Sequence, residues 1–107
     1  LGDGSPLRQF TYTKDVAKVI ARVVKEDISE NINIGTPENL SIAEMTRLAL
    51  IATDSQHLEI EYDTTQPNGQ YRKDVSVEKL KNIFPDFEFT SFVDGIRETY
   101  NILKNNY

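Results

Sequence analysis

The side chains in this sequence best suited to hold a ligand are three cations, Arg8, Arg72 and Lys73. Arg72 and Lys73 emerge together from the stretch Gln66-Pro67-Asn68-Gly69-Gln70-Tyr71. Pro67 sets φ near the value a turn requires, and Asn68-Gly69 tolerates positive φ, so the pair is expected on a well-defined turn. A guanidinium meets phosphate as a two-pronged fork and a lysine ammonium adds a mobile point charge, which makes this a candidate anion clamp. Arg8, Phe10 and Tyr12 alternate with Gln9 and Thr11, the pattern of a short strand with the arginine on the aromatic side. The ordinary alternative for all three cations is a solvated surface charge, with the Arg8 stem lying on Phe10.

Little else in the sequence offers chemistry. His57 is the single histidine and there is no cysteine, which removes disulfides, thiolate metal sites and a cysteine nucleophile. Asp15 reads as a helix-start carboxylate rather than a base, Met45 as core filling, and Asn39-Leu40-Ser41 as a helix cap rather than a glycosylation acceptor. With 17 acidic and 12 basic residues the net charge is -5, which argues against a general nucleic-acid binder. Charges farther off than about 8 Å are screened at physiological salt, so a local cationic cluster still attracts an anion. No apolar run approaches the ~20 residues needed to cross a bilayer, and no signal peptide is evident, so no membrane association and a cytoplasmic location are expected.

The elements that must position these groups follow from the apolar spacing. Residues 1–107 are expected to form one compact mixed α/β domain with short strands and about four helices. Leu1–Pro6 reads as a loop. Thr13 is placed to cap a helix with Val16, Val19, Ile20, Val23 and Val24 as its apolar stripe. Asn31–Ile34 and Leu58–Tyr62 alternate as strands, the second delivering the chain to the cationic turn. Ser41 and Glu44 have capping-box spacing ahead of Ile42, Met45, Leu48, Ala49 and Ala52. Ser76 is expected to start a short helix over Asp74–Ile83 that Pro85 ends, and Ser91 a last helix carrying Val93, Ile96, Tyr100 and Leu103 and fraying from Lys104.

Taken in order, Gly4-Ser5-Pro6-Leu7-Arg8-Gln9-Phe10, Tyr12 with Asp15, Asn33-Ile34-Gly35, Pro67-Asn68-Gly69-Gln70-Tyr71-Arg72-Lys73 and Gly95-Ile96-Arg97-Glu98-Thr99 span almost the whole chain. This set resembles the C-terminal, substrate-binding region of the extended short-chain dehydrogenases/reductases (the NAD-dependent epimerase/dehydratase family), and among them the GDP-L-fucose synthases. The resemblance implies a substrate-binding subdomain that is part of a longer enzyme, normally appended to a Rossmann domain. The parent would be a homodimer that epimerises and reduces a nucleotide sugar with NADP(H) or NAD(H). Arg8 matches the arginine that contacts the substrate diphosphate, and Lys73 or its neighbour Arg72 matches a basic position on the later loop. The cofactor loop and the Tyr-x-x-x-Lys pair of the family are expected outside this segment, which would then hold no cofactor, contribute no catalytic residue and be inactive alone. Leu1 stands where related fucose synthases carry an aromatic residue, and Lys14 replaces an acidic one. Other nucleotide-sugar epimerases or dehydratases of the superfamily, or a noncatalytic interaction module on this fold, are the alternatives.

Overall fold

The computed structural model describes residues 2–107; Leu1 and the substitution noted there lie outside them. The elements run β1 (Leu7–Arg8), α1 (Thr13–Lys25), β2 (Leu40–Ser41), α2 (Ile42–Ala52), β3 (Arg72–Lys73), α3 (Glu78–Ile83) and α4 (Phe92–Asn106). The architecture is mixed α/β, as the spacing predicts. β1 is the middle strand of a three-stranded sheet, antiparallel to β2 and parallel to β3.

The strands differ from those expected. Of the Arg8–Tyr12 alternation only Arg8 enters the sheet, together with Leu7 before it, and Asn31–Ile34 and Leu58–Tyr62 form no ladder. Leu58 is 55% exposed, so the alternating pattern exists without a neighbour to bury it. A strand needs a paired edge as well as a pattern, and no other described segment supplies one here.

Helix starts were more legible. Ser41 accepts a hydrogen bond from the Glu44 N–H at 3.1 Å, and the Glu44 carboxylate accepts from the Ser41 N–H at 2.8 Å, completing the capping box. Ser91 caps α4 through the Asp94 N–H at 3.2 Å. α1 starts one residue earlier than a Thr13 cap allows: Tyr12 is its N-cap and makes no side-chain cap. α3 is shorter than Asp74–Ile83, and α4 runs on through Lys104 to Asn106.

The main core is small. Val19, Leu80 and Phe84 are buried, with Val23, Ile28, Ile32, Ile34, Ile83, Phe87 and Phe89 packed around them. The Arg22 guanidinium lies over the Phe84 ring, 4.3 Å from its centroid, and reaches Glu26 and Asp86, which closes this core at one edge. α2 packs on α4; Met45 and Ala52 of α2 are buried, as is Gly95 of α4, which lies against the Tyr12 ring. Only part of the α1 stripe is covered, since Ile20 and Val24 stay exposed.

The molecule is consequently less compact than a chain of its mass should be. Its radius of gyration is 16.2 Å, against about 13 Å expected for this length. Its accessible surface is 7657 Å², where a compact monomer of this mass would expose roughly 6,100 Å².

Candidate functional site

The cationic turn is held by the opening loop of the chain. Gly69 adopts φ +75° as the Asn68-Gly69 pair requires. The Asn68 Oδ1 accepts the Asp3 N–H at 2.8 Å, and the Gly2 N–H donates to the Asp63 carbonyl at 2.9 Å, so the opening loop docks on the turn. Any side chain at Gly2 would occupy the Asn68 amide's position, which accounts for a glycine there. From this turn the chain enters β3, where the Tyr71 carbonyl accepts the Leu7 N–H at 2.7 Å.

The register decides which cations meet. Leu7 is opposite Arg72, and Arg8 is opposite Lys73. Register partners on parallel strands carry their side chains on one face with backbones about 4.8 Å apart, while successive residues alternate. Arg8 and Lys73, 65 residues apart in sequence, therefore share a face, and Arg72 is turned to the other one.

Arg72 is already engaged there. Its Nε donates to Asp74 Oδ1 at 2.7 Å and its Nη2 to Asp74 Oδ2 at 3.2 Å. This pairing holds the Asp74 carboxyl below the usual aspartate range and raises the Arg72 pKa further. Among the described residues neither Arg8 nor Lys73 has a carboxylate partner; the Arg8 Nη1 donates to the Leu7 carbonyl at 2.6 Å. Lys73 borders a groove of about 280 Å³ with Gln9, Thr11, Ile34, Gly35, Asp74 and Val75; Arg8 is not part of its lining. Two cations on one face without carboxylate partners, one of them bordering a groove, can receive a small polyanion.

Asp15 is one residue whose role the sequence understated. It is 1% exposed, and its carboxylate accepts the Thr90 N–H at 2.7 Å and the Thr90 hydroxyl at 2.8 Å. It ties α1 to the segment entering α4. No local pattern signals this, because its partner lies 75 residues away.

Catalytic and cofactor features were expected elsewhere. One correction concerns Tyr-x-x-x-Lys, since Tyr100 and Lys104 do have that spacing, on α4. The Lys104 ammonium lies 5.9 Å from the Tyr100 ring centroid, a cation–aromatic contact between i and i+4 on an exposed helix face. The opening glycines do not fit a dinucleotide loop. Gly4 is packed against Tyr62 and Ala43, and the Asp3 and Ser5 N–H groups are consumed by Asn68 and Asp3 side chains. Among the described residues there is no cluster of metal-ligating side chains and no helix long and apolar enough to cross a membrane.

Comparison with known proteins accounts for this fold. The GDP-L-fucose synthase of Dictyostelium discoideum is 36% identical over 110 residues, which is 100% of this chain and 34% of that protein. This chain is a homologue of the GDP-L-fucose synthases. A GDP-L-fucose synthetase from Naegleria fowleri superposes with a TM-score of 0.87 at 30% identity, over 99% of this chain and 33% of that one. The same enzyme bound to NADP gives 0.84. The dTDP-glucose 4,6-dehydratase of Bacillus anthracis, in complex with NAD, matches at 0.77 and 26% identity over 98% of this chain and 33% of its own. The chain thus spans about a third of the length of these relatives. No family model matches it.

Proposed function

We propose that this chain is a nucleotide-sugar-binding domain, part of an enzyme related to GDP-L-fucose synthase, and that Arg8 and Lys73 hold the substrate diphosphate. The observation carrying this reading is the Arg8–Lys73 register, which pairs two cations that have no carboxylate partner and lie 65 residues apart in sequence. A diphosphate presents oxygens to both at once, the arginine by its fork and the lysine by its point charge. Arg72 then serves the site from behind, its charge balanced by Asp74.

The remainder of the pocket would come from a Rossmann domain, the part of such an enzyme that carries NADP(H) or NAD(H). Two features support that. The surface exceeds that of a compact monomer, and Ile20, Val24, Leu58 and Ile60 are apolar and exposed. No chemical step is assigned to the residues of this chain.

Calorimetric titration of GDP, UDP and dTDP into the longer enzyme tests the reading. Arg8→Ala and Lys73→Ala should each weaken diphosphate binding by roughly ten- to a hundredfold, the value of a hydrogen bond to a charged group. Unchanged affinity in the double variant would refute the assignment. GDP is expected to bind best. A preference for dTDP would instead favour a dehydratase reading, which the Bacillus anthracis similarity supports.

A further inference from the structure

Beyond the backbone pairing of β1 with β3, a side chain joins the two chain segments. β1 and β3 are paired over two residues each, and the ladder ends at Arg8 and Lys73. So short a parallel pair is weak by itself. Beyond it, the Gln9 Oε1 accepts the Val75 N–H at 2.8 Å and the Gln9 Nε2 donates to the Val75 carbonyl at 3.2 Å. A primary amide carries the same donor and acceptor as a peptide group, so Gln9 continues the ladder by one more rung. Its Nε2 also donates to the Thr36 carbonyl at 3.0 Å, and Thr36 is buried with its N–H on the Thr11 hydroxyl at 3.0 Å. Gly35 makes the approach feasible: a Cβ there would lie 2.8 Å from Val75 Cγ2 and 3.6 Å from Gln9 Oε1. One amide thus clamps the exit of β1, the exit of β3 and the Gly35–Thr36 corner, all immediately beyond Arg8 and Lys73.

We propose that Gln9 is a positioning residue for diphosphate binding, acting by holding Lys73 at a fixed distance from Arg8. This rests on the reading of Arg8 and Lys73 as the diphosphate contacts. Gln9 needs no contact with the ligand. Without its amide the exit of β3 loses these side-chain hydrogen bonds to the exit of β1, and Lys73 must give up conformational freedom each time the ligand binds.

The test is a double-mutant cycle in the longer enzyme, read by GDP calorimetry, with guanosine as the ligand lacking phosphate. Gln9→Met keeps the side chain's length and removes both hydrogen-bonding atoms. It should weaken GDP by about tenfold and leave guanosine unchanged. Lys73→Ala should cost about tenfold in the wild-type background and less than about threefold after Gln9→Met, because the two act as a unit. Gln9→Leu also lacks both hydrogen-bonding atoms, adds no charge beside Lys73, and serves for the same cycle should Gln9→Met unfold. Loss of stability alone would lower the unfolding midpoint and leave the two costs additive, and additive costs overturn the proposal. If Arg8→Ala and Lys73→Ala themselves leave GDP binding intact, the diphosphate reading falls as well; if they weaken it while the cycle is additive, only the role of Gln9 falls.

Discussion

Replacing Asp15 by alanine should cut deeply into the stability of this chain. The carboxylate is 1% exposed and accepts two hydrogen bonds from Thr90, at 2.7 and 2.8 Å. Hydrogen bonds to charged groups contribute about 1.5–3 kcal/mol each. Thr90 is only part-buried, so water recovers some of the loss and the lower figure applies, giving about 3 kcal/mol for the pair. Chains of this size have a total stability of only ~5–15 kcal/mol. At roughly 4 °C per kcal/mol, Asp15→Ala should lower Tm by about 12 °C. Asp15→Asn keeps one acceptor oxygen and should cost about half as much, while Thr90→Val removes the hydroxyl and spares the backbone bond, for about 1.5 kcal/mol. Urea unfolding at neutral pH, followed by far-UV circular dichroism, measures all three. The Asp15→Ala/Thr90→Val cycle should show coupling of about 1 kcal/mol or more. A loss below about 1 kcal/mol for Asp15→Ala, or a cycle without coupling, would refute the claim that this tie anchors α1 to the start of α4.

Other expectations concern local devices. Ser41→Ala removes the cap on the Glu44 N–H and should destabilise by about 1 kcal/mol in the same unfolding assay. Gly35→Ala sets a Cβ 2.8 Å from Val75 Cγ2; the crowding should cost about 1–3 kcal/mol and, in the longer enzyme, weaken GDP binding by displacing the exit of β3. The Asp74 carboxyl lies below its ordinary value because Arg72 hydrogen-bonds it. A depressed folded-state pKa means that its stabilisation is fully present above the unfolded value and is lost as pH falls through the lower, folded one. An NMR titration of the Asp74 carboxyl should therefore show ionisation persisting below about 3.9, and Arg72→Gln should restore the ordinary midpoint; no change in that variant would disprove the pairing.

The capping box at Ser41, the Ser91 cap and the φ of Gly69 were readable because each depends on residues within three or four positions of one another. The apolar stripes of α1 and α2 were readable for the same reason, although the pattern named residues such as Ile20 and Val24 that no described segment covers. The strands were harder. Asn31–Ile34 and Leu58–Tyr62 have the alternation without a ladder partner, whereas Leu40–Ser41 and Arg72–Lys73 have little pattern and are paired.

Residue types and short-range spacing by themselves make Arg8, Arg72 and Lys73 the candidate anion-binding groups, and start helices at Ser41 and just past Ser91. The tertiary structure decided which cations share a face. Arg72 and Lys73 are neighbours in sequence, yet strand alternation turns them to opposite faces, and Asp74 balances only the first. Arg8 and Lys73 meet because β1 pairs with β3 in one register, and Gln9 carries that pairing one residue further through its side chain. Register, like the burial of Asp15 under Thr90, is set by contacts between residues more than sixty positions apart. A linear pattern carries no term for such contacts, so they exist only once the chain has closed on itself.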